Sequence, residues 1–198
     1  MALYSRPLHE RWRLTLSKSV FIALGANLGS PIDSFDAAFA MLLENGCEVI
    51  EISGLWQSPS WPLDIPAPDY INACAKVEFS GNGRSLLALL HRTEAALGRT
   101  RDKLNAPRSL DLDLLDFRGR VVNTPEIEIP HPRMMDRGFV LFPLSQIAPD
   151  WKHPVTDEGV NGAISRLKLS DVSPMLYLGR HNFIKTTSKR SKIAQMQN

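Results

Sequence analysis

Two aspartates lie two residues apart in a leucine-rich segment of the chain. Asp111 and Asp113 belong to 105-NAPRSLDLDLLDF-117, shortly after a proline and an arginine. The side chains of a β-strand alternate between its two faces, and the backbone rises about 3.3 Å per residue. The spacing therefore predicts that Leu110, Leu112 and Leu114 enter a core, while the two carboxylates share the opposite face roughly 7 Å apart.

Two carboxylates at this separation repel each other, and a bound divalent cation removes the repulsion. Mg²⁺ prefers hard oxygen ligands, which carboxylates supply. Arg99, Arg101 and Arg108 lie close by in the sequence. Carboxylates beside guanidinium groups are typical of a site for a metal and a polyphosphate. The alternative is that both aspartates line a solvated face of an antiparallel sheet.

A second group of polar residues lies in 130-PHPRMMDRGFVLFPL-144. His131, Arg133 and Arg137 fall in a loop that begins at a proline, where a single histidine is more often structural than catalytic. The chain contains no GxxxxGKS or GxxxxGKT motif, and 25-GANLG-29 is not a GxGxxG motif. Phosphate binding would therefore depend on arginine, histidine and metal.

The elements that must position these residues follow from hydrophobic spacing and turn residues. Strands are expected over residues 20–24, 49–53, 70–79 and 110–115, and helices over residues 31–45 and 85–97. This order predicts an α+β fold, a ferredoxin-like sandwich whose mostly antiparallel sheet carries helices on one face and leaves the other free for a site. Residues 56–69 contain four prolines, which predicts a long loop.

Composition limits the class of protein and its location. A formal net charge of +2 is too small to indicate nucleic-acid binding, and no apolar run approaches the length of a membrane span. Two cysteines without a CxxC spacing favour a reducing compartment, so the predicted location is cytoplasmic. The basic residues and short apolar patch at the start of the sequence leave a signal or transit peptide as the alternative, but the patch runs into a glycine turn and a helix start, as a core strand would. Residues 19–167 are predicted to form one catalytic domain, preceded by an extension over residues 1–18. Residues 168–198 are predicted to be a second extension that ends in a flexible basic tail.

Five segments occur in an order that resembles one enzyme family. They are ALGANLG, DYINA, GRTR, APRSLDLDLL and PHPRMMDRGFVLFPLSQIAP. Over about residues 20–151 the chain resembles the 6-hydroxymethyl-7,8-dihydropterin pyrophosphokinases of folate biosynthesis. The resemblance implies transfer of pyrophosphate from ATP to the hydroxymethyl oxygen of the pterin, with release of AMP and with two Mg²⁺ ions as cofactors. We expect a monomer that binds these two small molecules and neither nucleic acid nor a membrane.

The resemblance also implies roles for individual residues. The metal ligands would be Asp111 and Asp113, which with Arg99 and Arg108 form the catalytic group. ATP would contact His91, Glu94, Arg99, Arg101, Arg108, Leu114, His131 and Arg137. The pterin would contact Ser58, Pro59, Tyr70, Asn72, Asp111 and Phe139. The proline-rich loop would act as a mobile lid that Trp61 helps to close.

The chain departs from the family pattern at several positions. Ala26 stands where serine is preferred, Ala106 replaces glycine and Ser109 replaces threonine. In 102-DKLN-105 the family commonly has a basic residue and a tryptophan. Leu104 and Asn105 can neither stack on a base nor pair with a phosphate, so we expect weaker ATP binding with catalysis retained.

Two other functions fit part of the pattern. A different metal-dependent phosphoryl or nucleotidyl transferase on a ferredoxin-like sheet would also carry paired aspartates on a strand. An RNA-binding module could use the same fold with the basic tail as an electrostatic arm. The carboxylates of Asp111 and Asp113 would repel a phosphate backbone, which argues against RNA.

Overall fold

The computed structural model describes residues 19–60, 67–99, 107–172 and 174–183. The strands are β1 (Val20–Ala26), β2 (Cys47–Ile52), β3 (Leu55–Ser58), β4 (Tyr70–Phe79), β5 (Asp111–Phe117), β6 (Val122–Thr124), β7 (Ile127–Ile129) and β8 (Leu176–Gly179). The helices are α1 (Pro31–Glu44), α2 (Gly83–Ala96), α3 (Gly138–Ile147), α4 (Val160–Arg166) and α5 (Leu169–Val172). No helix among these residues is long and apolar enough to cross a membrane.

Six of the strands form one antiparallel sheet. Its order is β5-β1-β4-β3-β8, and β2 also pairs with β4. The two remaining strands, β6 and β7, form a separate hairpin. Because β1 lies between β4 and β5, the sheet has the strand order of a ferredoxin-like fold. The predicted α+β class is confirmed.

One face of the sheet is covered by α1 and α2. The first core contains leucines of both helices together with Leu110, Leu112 and Leu114, as strand alternation predicts. Asn82 begins α2 with a capping box, in which its side chain accepts from the Ser85 N–H and the Ser85 hydroxyl accepts from the Asn82 N–H. At the start of α1, Ser30 occupies the N-cap position, but its side chain makes no capping hydrogen bond.

The second face of the sheet also carries helices, where the sequence predicted a free face. Val140, Leu141 and Leu144 of α3 pack against Phe21, Leu115 and other residues in a second core. The segment contains Pro143, a residue that disfavours a helix interior. Helix α3 forms nonetheless because its largely buried apolar side chains need a partner surface. The predicted site must therefore lie beside this layer.

Two further strands lie where the sequence predicted a loop and a tail. Residues 56–58 belong to β3, since the prolines of this segment begin only at Pro59. Strand β8 pairs with β3 at the edge of the sheet. Phe183 is buried, with its ring centroid 6.3 Å from that of Phe35 and 5.3 Å from that of Phe39. The packed fold therefore includes residues up to 183, whereas residues 1–18 and 184–198 lie outside the described part.

Candidate active site

The two aspartates lie on the sheet in register with residues of β1 and β4. Asp111 pairs with Gly25, which pairs in turn with Asn72. Asp113 occupies the equivalent position opposite Ala23, two residues along. The side chains of the two aspartates are 26% and 32% exposed, whereas the leucines between and beside them are buried. The structure therefore places both carboxylates at an accessible part of the sheet, beside Asn72.

Basic side chains approach both carboxylates. Arg99 Nη1 lies 2.6 Å from one oxygen of Asp111, and Arg108 Nη1 lies 3.0 Å from the other. Asp113 lies 3.4 Å from Arg137 Nη1 and 3.7 Å from His131 Nε2. Three arginines and one histidine thus surround the two carboxylates. Of the other predicted residues of this group, Arg101 lies outside the described residues, as do Trp61 and the 102–105 loop.

Glu94, a predicted ATP contact, lies in a buried environment. Its side chain is 1% exposed and accepts a hydrogen bond of 2.7 Å from the Leu112 N–H. The same carboxylate pairs with the Arg99 guanidinium. Glu94 therefore joins α2 to β5 and orients Arg99 toward Asp111.

Two further predicted ATP contacts lie on α2 and β5. Leu114 is buried in the first core. His91 is exposed on α2.

Arg108 is held in place by Asn27, a residue that the sequence reasoning missed. The Arg108 N–H donates to Asn27 Oδ1 at 2.8 Å, and the Asn27 N–H donates to the Arg108 carbonyl at 3.0 Å. The Asn27 side-chain amide also donates to the Pro68 carbonyl at 3.0 Å. An asparagine followed by Leu-Gly, directly after a buried strand, was the available signal. Asn27 connects the segments before β4 and β5 at the edge of the site.

The surroundings of Arg108 favour its charged form. Burial is the largest influence and lowers the Arg108 pKa, but attraction to Asp111 and Tyr70 and hydrogen bonds with both side chains outweigh it. The pKa of Arg108 therefore lies above its ordinary value. Arg108 stays cationic and contacts both Asp111, a predicted metal ligand, and Tyr70, a predicted pterin contact.

The predicted pterin residues gather on the other side of Gly25. Asn72 is buried, and its side-chain amide donates to Ser58 Oγ at 2.9 Å and to the Trp56 carbonyl at 3.3 Å. A Cβ placed on Gly25 would lie 3.3 Å from Asn72 Oδ1, 3.7 Å from Tyr70 Cδ1 and 3.8 Å from Asp111 Cβ. Gly25, which has no side chain, thus lies between the carboxylate of Asp111 on one side of the site and the amide of Asn72 on the other.

Two of the predicted pterin contacts border this group. Phe139 lies under the Arg137 guanidinium, with 5.5 Å between the guanidinium carbon and the ring centroid. Arg137 also reaches Asp113, so Phe139 lies close to the carboxylate pair. Pro59 follows Ser58 at the end of β3 and is partly exposed.

His131 is a neutral group near Asp113 at physiological pH. Burial is the largest influence and lowers the pKa of His131, the Asp113 carboxylate opposes this, and Arg137 and Arg133 lower it further. The net pKa lies below the ordinary value of 6.5. Nδ1 accepts a hydrogen bond of 3.2 Å from the Arg133 N–H, which leaves the proton on Nε2, the nitrogen that faces Asp113.

A pH dependence of stability follows from this environment. A group whose folded pKa is depressed stabilises the fold above its unfolded pKa, and the contribution is lost as the pH falls through the folded pKa. We expect the unfolding midpoint of the wild type to fall between about pH 7.5 and about pH 5.5. His131→Gln should show a smaller fall. Some dependence should remain, because burial also lowers the pKa of His153.

Urea unfolding at the two pH values measures this effect. His181→Gln, a substitution at an exposed histidine, is the matched control and should retain the wild-type dependence. An equal fall in His131→Gln and in the wild type would contradict the assigned environment of His131.

Known proteins are similar to this chain in sequence and in fold. Residues 21–149 match the family 7,8-dihydro-6-hydroxymethylpterin-pyrophosphokinase (HPPK). The chain is 37% identical over 155 residues to the 2-amino-4-hydroxy-6-hydroxymethyldihydropteridine pyrophosphokinase of Synechocystis sp., and the match covers 78% of each protein. It is 35% identical over 161 residues to the folic acid synthesis protein fol1 of Pneumocystis carinii, covering 81% of this chain and 22% of that protein.

A solved structure extends the likeness to the fold. Wild-type HPPK-DHPS of Plasmodium falciparum has a TM-score of 0.57 and 13% sequence identity, and the match covers 75% of this chain and 44% of that one. The chain thus spans about a fifth of the fungal relative and less than half of the solved chain. Since the family match covers most of the chain and the cyanobacterial relative aligns over most of both lengths, the chain belongs to the 7,8-dihydro-6-hydroxymethylpterin-pyrophosphokinase (HPPK) family.

Proposed function

We propose that this chain transfers pyrophosphate from ATP to 6-hydroxymethyl-7,8-dihydropterin and releases AMP, as a step of folate biosynthesis. The observation that carries the proposal is the row formed by Asp111, Gly25 and Asn72 across three paired strands. The carboxylate side of the row is surrounded by arginines, which suit a polyphosphate. The amide side borders aromatic residues, which suit a flat polar heterocycle. The name of the Synechocystis relative supports the same reaction, and that of the Pneumocystis carinii relative supports a role in folic acid synthesis.

Asp111 and Asp113 are the proposed ligands of two Mg²⁺ ions. Carboxylate oxygens are hard ligands of the kind that Mg²⁺ prefers. No group of three or more His, Cys, Asp or Glu that could hold a metal occurs in the described ranges, so ATP and water would supply the other ligands, as is usual for Mg²⁺. When bound, the metal neutralises phosphate charge and polarises the attacking hydroxyl.

The basic residues around the pair are the proposed polyphosphate contacts. Arg99 and Arg108 neutralise Asp111, and Arg137 neutralises Asp113. Guanidinium groups bind phosphate oxygens with two parallel hydrogen bonds, so the same side chains can turn to ATP. His131 adds an Nε2–H donor, and we assign Arg101 the same role as Arg99. Glu94 acts through Arg99, because its carboxylate is buried.

Asn72 is prepared to recognise the edge of the pterin. Its amide N–H groups are used by Ser58 and Trp56, so its carbonyl oxygen, on the Gly25 side, can accept an N–H of the heterocycle. Tyr70 and Phe139 supply the aromatic faces between which such a ring stacks. Ser58 and Pro59 complete the edge contacts.

Transfer forms a bond from the hydroxymethyl oxygen to the β-phosphorus and breaks the bond to the oxygen that leaves with AMP. The hydroxyl loses its proton to solvent water, and Asp111 assists this loss from its position beside the pterin contacts. Negative charge grows on the transferred group and on the leaving oxygen. Arg99 and Arg108 compensate it, since Glu94 contacts the Arg99 guanidinium and Asn27 fixes the main chain of Arg108 beside the carboxylate pair.

Release of AMP tests the proposal. The purified chain is incubated with Mg-ATP and the pterin alcohol, and the nucleotides are separated by chromatography. We expect AMP and the pterin pyrophosphate in equal amounts, and no AMP when the pterin or Mg²⁺ is omitted. Formation of ADP, or of nothing, would contradict the proposal and favour a different phosphoryl or nucleotidyl transferase.

We also propose that the chain acts as a monomer in the cytoplasm, without nucleic acid or membrane as partner. Every residue assigned above comes from one chain, so a second copy is not needed to complete the site. Cys47 and Cys74 are buried free thiols whose pKa is raised by burial, that of Cys47 to about 12. Such unreactive thiols suit a reducing compartment. Size-exclusion chromatography with light scattering tests the monomer.

A further inference from the structure

Three aromatic rings from different elements contact one another beside the predicted pterin residues. The ring of Trp56 on β3 lies 5.0 Å from that of Phe142 on α3, at an angle of 27°. The ring of Trp56 also contacts that of Tyr177 on β8, with 5.1 Å between the centroids and 49° between the ring planes. This cluster of Tyr177, Trp56 and Phe142 joins β8 to α3, the helix that also carries the predicted pterin contact Phe139.

The ring of Tyr177 packs against the backbone of Gly54. A Cβ on Gly54 would lie 2.4 Å from Tyr177 Cε2 and 2.7 Å from the Tyr177 hydroxyl oxygen. The ring therefore lies directly against the bare backbone of Gly54, whose N–H donates to Gln146 Oε1 at 2.8 Å. Although Tyr177 is 45% exposed, its ring is held on one side by this backbone and on another by the indole.

Ring contacts hold the indole of Trp56. Its Nε1–H is buried and has no hydrogen-bond partner among the described residues. The main chain of Trp56, in contrast, is tied to the site, because its carbonyl accepts from the Asn72 amide at 3.3 Å and it pairs with Asn72 in the sheet. A shift of the indole would move this carbonyl and, two residues on, Ser58.

We infer that Tyr177 is a positioning residue for the pterin pocket. Without contacting the substrate, Tyr177 fixes Trp56, and Trp56 fixes the amide of Asn72 and the end of β3 that carries Ser58. The inference rests on the proposed function, since it concerns the affinity for the pterin. It assigns part of the substrate affinity to the C-terminal strand, on the far side of β3 from the carboxylate pair.

Steady-state kinetics with both substrates tests the inference. Tyr177→Ala should raise the KM for the pterin alcohol about fivefold, the effect of losing one aromatic pair. The KM for ATP should stay within about twofold, because Arg99 and Arg108 are held by Glu94 and Asn27 instead. Tyr177→Phe keeps the ring and should restore the wild-type values. Leu178→Ala, an exposed apolar residue on the same strand, is the matched control.

Gly54→Ala provides a second variant in case Tyr177→Ala does not fold. It leaves every aromatic ring present, but the added Cβ displaces the Tyr177 ring from the backbone of residue 54. It should therefore raise the KM for the pterin in the same way. A pterin KM equal to that of Leu178→Ala, or an equal rise in both KM values, overturns the inference. A wild-type chain that forms no AMP overturns the proposed function and this inference with it, whereas an active wild type with an unaffected Tyr177→Ala variant overturns the inference alone.

Discussion

Replacing Asp111 or Asp113 with asparagine should lower the rate of AMP formation at least about 1,000-fold. Asparagine keeps the volume of the side chain and removes the negative charge that a divalent cation requires. Each aspartate supplies one of the two carboxylates at this place on the sheet, so neither can replace the other. A loss of this size corresponds to about 4 kcal/mol of transition-state stabilisation. Single-turnover measurements with saturating Mg-ATP and pterin check it.

Loss of folding is the alternative explanation for an inactive variant. Asp111 neutralises Arg99 and Arg108, but these side chains are partly exposed, so water can replace the lost pairing. Urea unfolding should therefore show a stable fold in both variants. Asp136→Asn, which breaks the exposed pair of Asp136 with Arg166 at 3.2 Å, is the matched control and should keep full activity. Turnover close to the wild-type rate in Asp111→Asn or Asp113→Asn would show that the mechanism is wrong.

Replacing Gly25 with valine should lower kcat/KM for the pterin about 100-fold, the loss expected when reacting groups are displaced by about 1 Å. A Cβ at this position already lies 3.3 Å from Asn72 Oδ1 and 3.8 Å from Asp111 Cβ. The two methyl groups of valine would extend further into the space between the amide and the carboxylate. Valine is well suited to a strand, so the chain should still fold.

A graded series separates blockage of the site from loss of folding. Gly25→Ala adds only the Cβ and should have a smaller effect than Gly25→Val on kcat/KM for the pterin. Gly162→Ala in α4 is the control, because a Cβ there meets only an ordinary contact of 3.7 Å with Glu158 Cγ. Thermal melts establish whether each variant is folded. A folded Gly25→Val with wild-type kinetics would exclude Gly25 as the junction between the two substrates.

The placement of Asp111 and Asp113 could be predicted because strand alternation is a local rule. A repeat of two assigns each residue to a face from its immediate neighbours alone. The same rule correctly placed Leu110, Leu112 and Leu114 in the first core. Helix α2 was predicted to within two residues of its start, since its leucine spacing and stop glycine are also local signals. The motif order in addition indicated the family.

Some contacts depend on packing between distant parts of the chain, which spacing along one strand or helix does not predict. The sequence did not indicate that the buried carboxylate of Glu94 holds Arg99 and the Leu112 N–H. It also left one face of the sheet free, where α3 packs because the apolar side chains of a Pro-containing segment still require burial. Whether an apolar segment becomes a helix, and which face it covers, depends on the surface available elsewhere in the chain.

The sequence by itself therefore determined the α+β class, the family and the two carboxylates that face the same way. Only the tertiary structure decided that Arg108, Asn27 and the segment before β4 meet, that Gly25 separates the two sides of the site, and that β8 places Tyr177 against Trp56. The physical reason is that periodicity describes neighbours along one strand or helix. Contacts between residues 56 and 177, or 27 and 108, are set by strand order and by the packing of the whole core.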